Sequence, residues 1–174
     1  MRLIIGNKNY IYIYKDEKYC VDAFDLKILS VLQKEARISN QALADRVGLS
    51  PSPCLRRVQR LERDGVIEAF CAQINRQALG LQIQAFVHVS LRDHLPETLQ
   101  GFKAFVLSHD AVLECHALSG QYDYLLKIVA EDVDAFDEVL TRGLLAGHGV
   151  NAANTSFVLK QLKSTSALPL PETA

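Results

Sequence analysis

Four arginines, Arg56, Arg57, Arg60 and Arg63, follow directly on the stretch Ser50-Pro51-Ser52-Pro53-Cys54-Leu55. Ser50 suits a helix N-cap, Pro51 suits the first helical position, and Cys54, Val58 and Leu61 recur at the i, i+4, i+7 spacing of one buried stripe. The arginines lie off that stripe, so a short helix carries guanidinium groups beside a buried seam. Such groups bond phosphate oxygens and base edges; an ordinary helix with a solvated basic face would use the same residue types. A second group is Leu118-Ser119-Gly120-Gln121-Tyr122-Asp123-Tyr124. Gly120 lets backbone N–H groups approach a carboxylate, Asp123 can answer an ammonium group, and Tyr122 or Tyr124 can wall a small pocket. A plain hairpin with a buried tyrosine is the simpler reading of those residues alone. Cys115-His116 does not make a metal or thiol site, because adjacent strand residues point to opposite faces. His88, His94, His109 and His148 are isolated, and Asp132, Asp134 and Asp137 suit a helix start better than a metal. No Gly-rich phosphate loop, nucleophile elbow or carboxylate pair is present, so neither a catalytic residue, a metal nor a cofactor is expected, and the chain reads as a non-enzyme.

The elements around the arginine helix sharpen its reading. Asp22 with Asp25 approximates a capping box, and Leu26, Ile28, Leu29 and Leu32 give an apolar face to a first helix running to Lys34. Ser39 caps a second helix whose Leu43, Ala44 and Val47 face inward, and Gly48 ends it. Only Leu49 and Ser50 then remain before the third helix, which forces a tight helix-turn-helix corner. Gly65 stops the third helix, and Val66 to Phe70 reads as a short strand. Three helices with a tight corner and a basic third member point to DNA.

The charge distribution agrees. Net charge is −1 over 174 residues, but residues 1–70 hold 12 Lys/Arg against 9 Asp/Glu, and residues 71–174 hold 7 against 11. A basic half followed by an acidic half fits a nucleic-acid module joined to a module of another kind. Cys20, Cys54, Cys71 and Cys115 form no C-x-x-C pair, which suits a reducing cytosol rather than a disulfide framework. No apolar run reaches membrane-spanning length, so a cytoplasmic protein without a membrane partner is expected. Residues 1–20, with Gly6-Asn7 between two apolar runs, read as an N-terminal extension with a candidate hairpin, or as sequence upstream of a working protein that starts near Val21.

Residues 71–81 are polar and turn-prone, a linker between residues 21–70 and 82–163. The second half has strands at Gln82–Leu91, Val112–Leu118, Tyr122–Val129 and Asn154–Leu162. Its helices start at Pro96 (stripe Leu99, Phe102, Val106) and after Asp132 (stripe Val133, Phe136, Leu140, Leu144). The order βαββαβ is a ferredoxin-like unit whose helices cover one sheet face; the open face carries apolar side chains and should meet a second copy. Residues 164–174, rich in Ser, Thr and Pro, are expected to be a flexible tail.

Several motifs, in order, resemble one family. Asp22-Ala-Phe-Asp-Leu-Lys-Ile-Leu, Arg37-Ile-Ser-Asn, Val47-Gly-Leu-Ser-Pro-Ser-Pro-Cys, Arg57-Val-Gln-Arg-Leu-Glu-Arg-Asp-Gly-Val-Ile and Glu114-Cys-His-Ala-Leu-Ser-Gly-Gln-Tyr-Asp-Tyr-Leu-Leu-Lys resemble the Lrp/AsnC (feast/famine) regulators. Within that family they are most similar to the leucine-responsive type. The resemblance spans about Val21 to Lys163. It implies an α+β chain, a winged helix-turn-helix followed by an amino-acid-sensing domain of the RAM, ACT-like kind. It also implies an effector site near the hairpin, between dimers that assemble to an octamer. Leu118, Ser119, Gly120, Tyr122, Asp123 and Tyr124 are its expected residues, with Thr155 and Ser156 from the segment that supplies hydroxyls in relatives. Ala153 stands where many relatives have threonine, and Gln121 replaces the usual acidic residue of the turn.

On the DNA side, Ser50, Ser52, Pro53 and Leu55 begin the third helix where base edges would be reached, and Leu55 could touch a thymine methyl. Arg56 and Gln59 share that face; Arg56 is the candidate for guanine. Arg57 and Arg60 are expected on phosphate, with an acidic side chain of the domain as the other partner for Arg57. Ser39, Asn40 and Gln41 are expected to donate to the DNA backbone. The partners expected are a pseudo-palindromic double-stranded DNA, a free amino acid, leucine or methionine first among them, and further copies of the chain. The targets expected are genes of amino-acid metabolism and the protein's own gene. An architectural protein that wraps DNA without sensing an effector is the other reading.

Overall fold

The computed structural model describes residues 21–171, in two units that divide between Gln73 and Ile74. The first unit holds three helices, α1 (Ala23–Leu32), α2 (Asn40–Val47) and α3 (Pro51–Arg63). Asp22 and Asp25 form a reciprocal capping box: each side chain accepts the other's backbone N–H, at 3.0 and 2.9 Å. Ser39 Oγ accepts the Ala42 amide and so caps α2. Gly48 closes α2 with φ +73°, a left-handed geometry that spares a Cβ clash, and the chain turns within two residues into α3. Ile28, Leu32, Leu43, Ala44, Val47, Cys54 and Leu61 meet in one core, with Val58 half-buried at its edge. Each buried Leu or Ile contributes about 1.5–3 kcal/mol relative to exposure, enough for three short helices to hold one another where none would persist alone.

Two expectations for this unit need correction. Val66–Phe70 forms no strand: Val66 and Ile67 donate back to Leu61 O and close α3, while Glu68 to Phe70 run exposed with no strand beside them. A strand needs a partner ladder, and none of the described residues of this unit supplies one. The tail is also less free than its composition implies. Gln33 donates to Leu168 O at 3.1 Å and accepts the Leu168 amide at 2.9 Å, which ties residues 164–171 to the end of α1. The expected hairpin of residues 1–20 lies outside the described residues.

The second unit opens with a short 3-10 turn (Arg76–Leu79) and then follows the order β1 (Ile83–Leu91), α4 (Pro96–Ser108), β2 (Val112–Ala117), β3 (Tyr124–Ala130), α5 (Val133–Asp137), β4 (Val150–Phe157). A wider π-type turn, Glu138–Leu144, extends α5. The sheet order is β2-β3-β1-β4, every pair antiparallel. This is the ferredoxin-like βαββαβ arrangement, with the core between helices and sheet. Ala85, Val87, Val89 and Leu91 of β1 and Leu126 and Ile128 of β3 face Phe102, Phe105, Phe136 and Leu144. Phe105 was absent from the expected α4 stripe, and Val133, expected inward, is exposed. The last strand starts four residues earlier than expected. Leu91 pairs with Val150 and Ala85 with Phe157, whereas Leu159 and Leu162 lie beyond the ladder and are 98% and 86% exposed. The segment Val150-Asn-Ala-Ala-Asn has weak strand propensity, and pairing with β1 overrides it.

Candidate nucleic-acid interface and effector hairpin

The outward face of α3 is set by what its inward face buries. With Cys54 and Leu61 in the core, the 3.6-residue turn directs Ser52, Leu55, Arg56, Gln59 and Arg63 to solvent, and all five are exposed. Pro53 is half-buried. Ser50 occupies the N-cap position with extended backbone, but its side chain makes no capping hydrogen bond, so its hydroxyl stays available. Asn40 Nδ2 donates to Pro51 O at 2.9 Å, joining the starts of α2 and α3; that bond, rather than DNA backbone, takes one of its amide hydrogens. Gln41 is exposed and donates to Asp45 at 3.1 Å.

Arg57 and Arg60 do not share the outward face. Arg57 Nη1 donates to Asp22 Oδ2 at 2.6 Å and to Asp25 Oδ1 at 2.9 Å, and Arg60 Nη2 donates to Asp25 Oδ2. Asp25 is 0% exposed. Arg60, expected on phosphate, here pairs with Asp25, and of the two partners expected for Arg57 the structure shows the acidic one. The hydrogen bonds that Arg57 donates to Asp22 and then to Asp25 raise its pKa. Burial pushes the Asp22 carboxyl up, but hydrogen bonds from Arg57 and from the Asp25 amide outweigh it and hold the group below its ordinary value. Sequence reading found Asp25 only as a cap; its second role depends on residues of α3 more than thirty positions away.

The hairpin between β2 and β3 is a longer loop than the three-residue turn expected, with Leu118 N–H donating to Asp123 O at 2.8 Å. Leu118, Ser119, Gly120 and Gln121 are exposed, and Gly120 has φ +147°. Tyr122 is half-buried with its ring 4.8 Å from the His88 ring. Asp123 is already engaged: Oδ2 accepts the Leu91 amide at 2.7 Å, and Oδ1 meets His94 Nε2 at 2.9 Å. The Leu91 amide and then His94 hold its carboxyl below the usual range. Tyr124 packs on Phe102, 4.5 Å between ring centroids, on the helix-covered side. Thr155 and Ser156 diverge. Thr155 lies opposite Val87 and so faces the helices, while Ser156 lies opposite Phe86 on the open face. The two hydroxyls therefore cannot serve one site on one sheet face. His94 and His88 are the residues that sequence reading missed here; only their place beside Asp123 and Tyr122 marks them.

On the open sheet face, Glu114 accepts from Lys127 at 2.7 Å and lies 3.2 Å from His116, and Lys127 followed by His116 lowers its pKa. Cys115 pairs in register with Leu126 and His116 with Leu125, so the two point apart. Among the described residues no group of three or more His, Cys, Asp or Glu could hold a metal, and no helix is long and apolar enough to cross a membrane.

Comparisons with known proteins agree with this architecture. Residues 21–68 match a winged helix-turn-helix DNA-binding model, and residues 84–168 match the Lrp/AsnC ligand binding domain. The chain is 41% identical over 148 residues to a leucine-responsive regulatory protein of Salmonella typhimurium, covering 85% of this chain and 90% of that one. Among solved structures, it is similar to a transcriptional regulator of Neisseria meningitidis in complex with L-Met. The TM-score is 0.83 and the identity 43%, over 86% of this chain and 97% of that one. An AsnC family transcriptional regulator of Agrobacterium tumefaciens superposes with TM-score 0.80 at 34% identity, over 86% of this chain and 97% of that one. With a helix-turn-helix whose third helix presents a polar outward face, and a ligand-binding domain behind it, the chain belongs to the Lrp/AsnC family of DNA-binding transcriptional regulators.

Proposed function

We propose that the protein binds a pseudo-palindromic duplex as a homo-oligomer, a dimer assembling to an octamer, and that a free amino acid changes this binding. Leucine and methionine are the first candidates, and the targets are genes of amino-acid metabolism and the protein's own gene. The observation that carries the reading is the likeness, over 86% of the chain, to a regulator solved with L-Met, beside relatives named for their response to leucine. Ser52, Pro53, Leu55, Arg56 and Gln59 meet base edges in the major groove; Ser39, Gln41 and Ser50 meet phosphate at the two helix starts. The effector's carboxylate is received by backbone amides near Gly120. Its ammonium group approaches Asp123, whose Oδ1 already meets His94. The small molecule acts as an effector, not as a cofactor, and the protein works in the cytoplasm without catalysing a reaction.

An effector can act only through different affinities for two states of the protein. The test is a titration of the duplex upstream of the protein's own gene, with and without leucine, methionine and other amino acids in turn. One amino acid should shift Kd by about 5-fold or more. Tight binding indifferent to every amino acid would replace this reading with the architectural one, and no binding at low salt would defeat both.

A further inference from the structure

We infer that Asp25 is a specificity-determining positioning residue: it withholds Arg57 and Arg60 from phosphate and fixes the helix that reads bases. The inference rests on α3 as the helix that meets DNA.

Both carboxylate oxygens of Asp25 accept hydrogen bonds inside the domain. Oδ1 accepts Arg57 Nη1 at 2.9 Å; Oδ2 accepts the Asp22 amide at 2.9 Å together with Arg60 Nη2. Arg57 is held from two further directions, by Asp22 Oδ2 at 2.6 Å and by the Phe24 ring, whose centroid lies 5.5 Å from the guanidinium carbon. Arg60 Nε is buried and has no partner among the described residues. The two guanidinium groups close over this buried carboxylate with charge-assisted hydrogen bonds, and removing one partner would leave the other without its answering charge. Two of the four arginines of α3 thus have their charge answered by α1 and its cap. Arg56, by contrast, makes no ion pair with another described residue, and Arg63 only a long one, at 3.4 Å to Asp64.

The division has two consequences with opposite signs. Phosphate contacts by arginine strengthen binding to any sequence, so confining Arg57 and Arg60 keeps that common term small. The same contacts pin α3 to α1, so Ser52, Leu55, Arg56 and Gln59 meet the groove in one register, which favours the matched sequence. A residue that only stabilised the fold would, when replaced, weaken binding to all DNA alike.

The experiment measures Kd of the full chain across about 50 to 200 mM salt. Two duplexes are used, one selected from random sequence by the unsubstituted protein and one scrambled to the same composition. Asp25→Asn should bind the scrambled duplex several-fold more tightly at low salt. Its salt slope should steepen by up to about 0.9 for each freed arginine that reaches a phosphate, while the selected duplex loses about 10-fold. Arg60→Gln should leave the slope unchanged on both duplexes. Arg56→Gln should reduce the preference for the selected one.

A slope that falls by about 0.9 in Arg60→Gln would overturn the inference, because Arg60 would then already sit on phosphate. Equal weakening of both duplexes by folded Asp25→Asn would overturn it as well. If Asp25→Asn does not fold, the slope of Arg60→Gln decides alone. Failure of the unsubstituted protein to bind either duplex would remove the DNA-contact reading of α3, and the inference with it.

Discussion

Asp123 illustrates how a candidate site residue can already be committed to the fold. Its carboxylate accepts the Leu91 amide and the His94 ring, and these bonds hold its pKa below the ordinary carboxylate value. A lowered folded-state value means that the ionised group stabilises the native state at and above the unfolded value, and that this stabilisation disappears as pH falls through the folded value. Asp123→Asn should therefore melt below the unsubstituted protein at neutral pH, by about 1–2 kcal/mol. The gap should close as the pH falls below the ordinary Asp range and through the lowered folded-state value. Thermal melts of both proteins across that range check it; a gap independent of pH would mean that the charge of Asp123 contributes nothing. Gly120, Tyr122 and Asp123 marked the hairpin as a candidate site from sequence, but the commitments of Asp123 were not legible there. Leu91 and His94 lie about thirty residues away in the chain, and only the antiparallel pairing of β1 with β3 brings them to the hairpin.

At the scale of elements, the junction that starts β4 carries the sharpest constraint. Gly149 has φ +74°, its carbonyl accepts the Arg92 amide at 2.9 Å, and a Cβ there would lie 2.2 Å from Thr98 Cγ2. Gly149→Ala therefore combines a strained backbone with a clash against buried Thr98 of α4, and should cost about 2–4 kcal/mol in urea unfolding. Gly101, inside α4 with open space around it, is the matching control. Gly101→Ala should be neutral or stabilise by up to about 1 kcal/mol. Equal stability of the two variants would refute the argument. The helices were readable because caps, prolines and stripes are local signals: Asp22, Ser39, Pro51 and the Cys54, Val58, Leu61 stripe act within a few residues. The last strand was misplaced because its Asn and Ala residues carry little strand preference, and the register with β1 decides where it runs.

At the scale of the whole molecule, the open sheet face is the surface through which the proposed homo-oligomer is expected to assemble. Phe86, His88 and Leu125 are half-buried there in the single chain, beside the Glu114–Lys127 pair. A face of that composition is covered in the proposed homo-oligomer. Leu125→Glu, which sits opposite His88 and His116 and away from the helix-packed core, should return the chain to its monomer mass of 19.4 kDa in light scattering. Its helical and strand content should be kept. An unchanged multimeric mass would place the contact elsewhere.

The two-unit plan, the tight helix-turn-helix corner, the βαββαβ order and the exposed Ser52, Leu55, Arg56 and Gln59 could all be read from the amino-acid order, because each follows from periodicity and capping over short spans. Tertiary structure alone decided that Arg57 and Arg60 turn to Asp25, and that Thr155 and Ser156 face opposite sides of the sheet. The reason is physical: charge pairing and strand register join residues far apart in the chain, and no local spacing encodes which of several available partners comes within reach.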